Sequence, residues 1–406
     1  MSEEQRQHVL GPSSQTSCPA CASDQLTPFY AVDGVPVNSC LLVADQDAAL
    51  GFPLGDLRLA HCPGCGFIAN TAFEPRMTTY SPEYEETQGF SELFRDYYEE
   101  LAADWVKRHD LVGKRVVEIG CGKGEFLVAL ARVGISEGVG IDPGVDPQRI
   151  EALDGADLRW VSGFFPADFP VLDGDAVVCR HTLEHIPDVR TFLRGVRSAR
   201  GDRSNTTVLF ELPDTLRVLN EAAFWDVYYE HCSYFSAGSL ARLFRVAGFE
   251  VTDLARAYHD QYLLIEARPS TGGPAGATFE LEDDLEALRR GVEHFASVCV
   301  DLLEHWRYEV AAVAAAGRRS VLWGAGSKGV AFLAGLGDQA VHVAAAVDIN
   351  PFKQGKYMAG SGHRIIAPDE LSILAPELVV AMNPVYEGEI QAELDRLGLQ
   401  TRLVSV

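Results

Sequence analysis

The chain has 406 residues, too many for one ordinary core, so two or three domains are expected. Its 58 acidic residues outnumber 34 basic ones for a formal charge of −24, and no lysine or arginine run stands out against that surface, which argues against a nucleic-acid partner. No stretch approaches ~20 uninterrupted apolar residues, and the opening MSEEQRQHVLGPSSQ has neither a basic nor an apolar leader segment. No membrane partner and a cytoplasmic location are therefore expected.

Four of the nine cysteines form two CxxC pairs, Cys18 with Cys21 and Cys62 with Cys65, both in the pattern CPxC. Each pair puts two thiolates on one tight turn, and together they make the tetrahedral sulfur set that zinc prefers. With no open coordination position the zinc is expected to be structural. The gap between the pairs exceeds the common spacing of about 15–20 residues, so the insert should carry its own hairpin. Cys40, inside that insert, reads as a buried apolar residue and not as a fifth ligand. The module is expected to occupy residues 1–75, after which AFEPRMTTYSPEYEETQGFSELF begins a linker and a helix.

A doubly wound α/β domain is expected over residues 76–270. In VVEIGCGKGEFL an apolar strand runs into Glu118, Gly120, Gly122 and Gly124 and then into an apolar helix. The glycines let the backbone turn sharply and approach a ligand, at a helix start whose N–H groups are free. The acid in the strand and the ExGxGxG spacing separate this loop from a dinucleotide fingerprint, and the combination resembles motif I of class I S-adenosylmethionine (SAM) methyltransferases. The next strand, 137–142, ends on Asp142 about 20 residues on, where a ribose-binding acid belongs in a nucleotide-binding βαβ unit. Phe164 and Phe165 follow the third strand, 158–162, where they either flank an adenine or belong to the core. Strands at 176–179 and 207–211 continue the alternation.

The fourth strand leads into Arg180 and HTLEHIP. His181 and His185, four residues apart, are not expected to be a metal pair, since no third ligand is evident and Pro187 ends the helix. Beyond the fifth strand, FWDVYYEHCSYFS packs aromatic rings around Tyr228, Glu230 and His231. Ionisable groups in such a surround lose solvation and shift their pKa, the mark of a functional site, unless His231 is a satisfied structural histidine. Residues 271–406 are expected to form a second α/β unit behind a helical stretch over 281–316. Strand 320–323 runs into Gly324, Gly326, Ser327 and Lys328, and strand 343–347 ends on Asp348: a loop for phosphate and an acid for a hydroxyl pair. Lys328, with Lys353 and Lys356, is placed to neutralise a phosphate, and the segment Asn383–Tyr386 to line the same cleft.

Taken in order, the two CxxC pairs, Tyr84 in an inter-domain helix, EIGCGKGEFL, HTLEHIP, YYEHCSYFS and GAGSKG resemble the zinc-containing, three-domain SAM-dependent sugar C-methyltransferases of deoxysugar and antibiotic biosynthesis. The resemblance runs from about Cys18 to Val406. It implies a nucleotide-linked keto-hexose as substrate, methylated at the carbon beside the ketone, and a C-terminal domain that closes over the nucleotide-sugar. It places His181 beneath the methionine part of SAM, and Tyr228, Glu230 and His231 on the family's catalytic segment. Where some members carry an aspartate within that segment this chain has Tyr229, which leaves the particular sugar open.

Carbon must first become an enolate equivalent, which needs a base at the α-proton and a donor for the oxyanion. His231 suits the base, Glu230 an orienting carboxylate, Tyr228 the oxyanion donor or proton relay, and Tyr84 completes the cage. An N- or O-methyltransferase on a nucleotide-linked sugar or related natural-product intermediate would need the same base without an enolate, and a zinc-bearing scaffold that no longer turns over would need neither. No heptad run suggests a helical partner, so a monomer is the default.

Overall fold

A computed structural model describes residues 17–169, 171–199, 205–270, 272 and 276–406. Residues 1–15, on which the leader reading rests, lie outside this range. Three sheets hold the described strands. The central one has seven strands in the order β10 (Phe249–Ala257), β11 (Tyr262–Pro269), β8 (Thr207–Pro213), β7 (Ala176–Arg180), β4 (Arg115–Ile119), β5 (Glu137–Ile141) and β6 (Asp157–Val161). All neighbours pair in parallel except β11, which is antiparallel to both β8 and β10. Numbered within this sheet the order is 6-7-5-4-1-2-3, the class I SAM-methyltransferase topology. β4 and β7 are buried almost throughout because helices cover both faces of a parallel sheet.

The last sheet is wholly parallel, ordered β14 (Ile365–Ile366), β13 (Val343–Val347), β12 (Ser320–Trp323), β15 (Leu378–Ala381) and β16 (Arg402–Ser405). In both α/β units the glycine loop leaves the strand at which the winding reverses, β4 in one and β12 in the other, where ligand crevices open in such folds.

The remaining sheet crosses what the sequence separates. The insert between the CxxC pairs folds as the antiparallel hairpin β1 (Thr27–Pro36) and β2 (Leu54–His61), joined by β3 (Ile68–Asn70). Its fourth strand is β9 (Ser233–Tyr234), from the YYEHCSYFS segment, with Ile68 opposite Tyr234 and Ala69 opposite Ser233. The module's apolar residues join neighbouring cores as well. Phe67 packs on Phe235 at 5.1 Å, and Phe29 and Tyr30 meet Phe295 at 6.1 and 5.0 Å.

Phe295 belongs to the helix Leu285–Ala315, which buries Leu288, Val292, Phe295, Cys299, Trp306, Val310 and Val313 along one stripe. This helix starts later than the stretch 281–316 suggested, because Glu280–Glu282 form a separate 3-10 turn. Tyr84 is not helical. The helix begins only at Glu92, capped by Ser91, and Tyr84 lies in an extended run that pairs with the hairpin insert: Glu85 N–H donates to Cys40 C=O at 2.8 Å and Leu42 N–H to Glu83 C=O at 3.0 Å. Those bonds, with Pro82 alongside, win over helix formation. No helix among the described residues is long and apolar enough to cross a membrane.

Candidate active site

A cavity of about 1120 Å³ takes its lining from all three parts of the chain: Cys40 and Tyr84, both glycine loops, and Tyr228 with His231. At one end lies the loop after β4. Gly120 has φ +71°, and a Cβ there would sit 1.8 Å from Thr182 Oγ1, so both the conformation and the space require glycine. Asp142 braces this loop, accepting from Gly122 N–H at 3.1 Å and Gly144 N–H at 2.6 Å. Lys123 is engaged too, donating to the carbonyls of Pro82 and Gly144. Glu118 differs. It is buried, it lines the cavity, and its Oε2 has no partner within the protein. Burial pushes its pKa up to about 8. An unused acceptor beside a glycine cradle fits the hydroxyl-bearing adenosyl group of SAM.

Phe164 and Phe165 both line the cavity. Phe164 is 52% exposed, whereas Phe165 is buried edge-on against Phe192 at 5.7 Å. His181 holds a left-handed backbone, φ +46°, with its N–H donating to Glu211 C=O at 2.8 Å and its ring on Tyr262 at 4.5 Å. His185 turns the other way, 4.7 Å from the ring of His231, with Nδ1 2.9 Å from Tyr80 Oη. The two histidines of HTLEH therefore diverge, on a 3-10 turn at Leu183–His185. His185 does meet Glu184 and His231 in one cluster of ligating atoms, each within 4.8 Å of the others.

At this end of the cavity Tyr228 and His231 have ring centroids 4.1 Å apart. Burial, then the neighbouring His185 and His181, hold the His231 imidazole well below its ordinary pKa, so it is neutral at neutral pH. Burial likewise keeps the phenols of Tyr84 and Tyr228 protonated. Glu230 is buried but not part of the cavity lining, and burial raises its pKa. The segment is clamped from two sides, Asn70 N–H donating to Cys232 C=O and Cys232 N–H to Glu184 C=O, both at 3.0 Å. Tyr229 belongs to the packing, its ring against Gly55 and its hydroxyl accepting from Glu74 N–H at 2.9 Å.

The loop after β12 is more fully satisfied. Asp348 accepts from Ala325 N–H and Asn350 N–H, both at 2.9 Å, and Lys353 Nζ lies 3.5 Å from it. Lys328 pairs at 2.9 Å with Asp226, which also holds Arg217 at 2.5 Å. Gly324, Gly326, Ser327, Lys328 and Asp348 line the cavity, as does Lys353, whereas Lys356 does not. Asn383 and Tyr386 also line it, Asn383 exchanging two 2.9 Å hydrogen bonds with Gln261.

The CxxC thiols converge away from this cavity. Cys18 Sγ lies 3.6 Å from Cys65 Sγ, and Cys21 Sγ 3.6 Å from Cys62 Sγ. A Zn–S bond of about 2.3 Å puts tetrahedral sulfurs about 3.8 Å apart, so the four thiols fit zinc. Cys40 stands apart from them, 3.3 Å from Ser327 Oγ.

Several site residues escaped the sequence reading. Asn38 and Ser39 hydrogen-bond Glu230 from nearly two hundred positions away, Tyr80 holds His185, and the buried Glu184 and half-buried Glu86 add carboxyls to the cavity wall. Glu184 sits inside HTLEHIP, which drew attention only to its histidines, whereas Asn38-Ser39 carries no local signal at all.

A methyltransferase-domain family matches residues 91–254, and a C-methyltransferase C-terminal domain family matches residues 279–402. The C-methyltransferase NovU of Streptomyces niveus is 27% identical over 394 residues, covering 92% of this chain and 90% of that protein. The ribosomal protein L11 methyltransferase of Edwardsiella ictaluri is 39% identical over 84 residues, 19% of this chain and 28% of its own. Among solved structures, the magnesium protoporphyrin IX methyltransferase of Synechocystis PCC 6803 with bound SAH covers 44% of this chain and 84% of its own at 18% identity and a TM-score of 0.35. Strand order, the motif I loop with the free Oε2 of Glu118 and the methyltransferase-domain match lead to one conclusion: the chain is an SAM-dependent methyltransferase of class I fold, whose residues 279–402 are similar to the C-terminal domain of C-methyltransferases.

Proposed function

We propose that this methyltransferase forms a carbon–methyl bond beside the ketone of a nucleotide-linked keto-deoxyhexose. The observation that carries this reading is the neutral imidazole of His231, flanked by Tyr228 and His185 in the wall of the cavity that the motif I loop also lines. Glu118, Asp142 and the glycines of that loop would hold SAM, which would supply an electrophilic methyl group on sulfur. His231 takes the α-proton, and the electron pair of the broken C–H bond moves into an enolate. Tyr228, kept protonated, is the donor for the enolate oxygen, and Tyr84, hydrogen-bonded to Glu230, completes the cage. The enolate carbon then forms the bond to methyl as the C–S bond breaks, and the proton stays on His231. Gly324, Gly326, Ser327, Lys328 and Asp348 then face the nucleotide, under a C-terminal domain over residues 271–406, and Lys356, outside the cavity lining, has no part in it.

The test is incubation with SAM and a panel of nucleotide-linked 4-keto hexoses in deuterated water, reading product mass and methyl position. A methyl group on the carbon next to the ketone is expected, with α-proton exchange that falls about 10³-fold in His231→Ala while SAM affinity is retained. Methyl on oxygen or nitrogen, or unchanged exchange in H231A, overturns it. We further assign Zn²⁺ to Cys18, Cys21, Cys62 and Cys65 as a structural ion. Because β3 of this module clamps β9, chelation is expected to abolish turnover, and one equivalent of zinc should be lost in parallel by metal analysis.

A further inference from the structure

Glu230 is held by residues of the insert between the CxxC pairs. Its Oε2 accepts from Asn38 Nδ2 at 3.0 Å, and its Oε1 accepts from the backbone N–H of Ser39 at 3.1 Å and from the Ser39 hydroxyl. A serine hydroxyl carries one proton. When Ser39 directs its proton to Glu230, the 2.7 Å contact between Ser39 Oγ and Ser327 Oγ must run the other way, with Ser327 donating. Ser327 can then accept at 3.3 Å from Cys40, whose thiol burial pushes up to about 11 and so keeps protonated. The result is a donor chain, Cys40 to Ser327 to Ser39 to Glu230, that starts in the N-terminal insert, passes through the second glycine loop and ends on the carboxyl beside His231.

We propose that Ser327 is a positioning residue for Glu230: it orients the Ser39 hydroxyl onto the carboxylate and thereby sets the ionisation of the group next to the base. The inference rests on the reading of Glu230 and His231 as parts of the acid–base site, but not on the identity of the acceptor. Donors to the charged form of a carboxyl lower its pKa, so loss of Ser327 acts upward. The other ionisable groups facing Glu230 are Tyr80, Tyr84, Tyr228 and Cys40, all held neutral by burial, and the His185 and His231 imidazoles, which burial keeps neutral at neutral pH.

The experiment is an infrared pH titration of the full chain without substrate, in which the carboxyl band lost in Glu230→Gln identifies this group. Ser327→Ala is expected to raise the midpoint of that band by about one pH unit, Ser327→Thr to restore it, and Ser39→Ala to raise it further. The decisive comparison is the cycle: in the S39A background, S327A should shift nothing more. An unmoved midpoint in S327A, or a shift that persists without Ser39, overturns the relay. If S327A does not fold, Ser327→Cys, a weaker donor of similar size, makes the same comparison. Because no turnover is measured, failure to methylate a keto-sugar would sink the functional reading and leave this result standing.

Discussion

The two glycine loops occupy equivalent places in two parallel sheets and differ in what their polar groups have left to give. After β4, Asp142 braces the turn by accepting from Gly122 and Gly144, and after β12 Asp348 does the same for Ala325 and Asn350. The first loop has in addition an acid inside its strand, Glu118, with a buried oxygen facing the cavity and no partner. The second has no such group in Ser320–Trp323, and its lysines are tied to Asp226 and Asp348. Glycines and a braced acid make the turn. Unused hydrogen-bonding capacity at that turn makes the cofactor site.

The largest effect expected from this contrast is on SAM affinity. Gly120→Ala forces an alanine to φ +71° with its Cβ on Thr182, whereas Gly324→Ala, at φ +113°, meets Met382 at 3.2 Å far from the cofactor loop. Calorimetry should find SAM binding weakened by about 100-fold in the first, from strain and clash of roughly 3 kcal/mol, and within about twofold of wild type in the second. Equal losses would end the distinction between the loops.

A smaller effect follows from the Glu118 carboxyl, which burial raises to about 8. Hydroxyl donors favour its ionised form, so binding SAM expels a proton whenever the free enzyme is below that pH. Affinity should therefore rise with pH from about 6 and level off near 8, approaching tenfold per unit at the low end. Glu118→Gln should flatten the profile. A wild-type dissociation constant that is level over this range would show that Glu118 does not accept from SAM.

The smallest effect belongs to Lys328. Removing one partner of a buried pair is severe when the other charge is left alone, but Asp226 keeps Arg217 at 2.5 Å. Lys328→Ala should thus lower unfolding stability by only about 1–2 kcal/mol in denaturant titrations. If stability holds and the KM for a nucleotide-sugar climbs instead, Lys328 is a phosphate ligand whose ion pair opens on binding.

Local patterns were legible wherever neighbouring residues make the structure between themselves. ExGxGxG, Asp142 and the alternating strands announced the central sheet, and paired CPxC turns announced the cysteine cluster, because each is built from residues a few positions apart. Tyr84 was misplaced on a helix because its neighbours Glu83 and Glu85 bond Leu42 and Cys40 of the distant insert, a competition that propensity does not register. The same holds for Lys328, whose charge reads as free in GAGSKG and is paired across more than a hundred residues with Asp226.

By itself the sequence determined that an SAM-type glycine loop, a four-thiol cluster and a tyrosine-glutamate-histidine segment exist in one chain. Tertiary structure alone decided that the thiol-bearing module supplies a strand partner to that segment, that Asn38 and Ser39 hold Glu230, and that Ser327 reaches Ser39. The physical reason is range. Turn geometry and strand periodicity are written into adjacent residues, whereas the partner of a buried carboxyl is whichever donor the packing of three sheets brings within 3 Å, and no local pattern encodes that meeting.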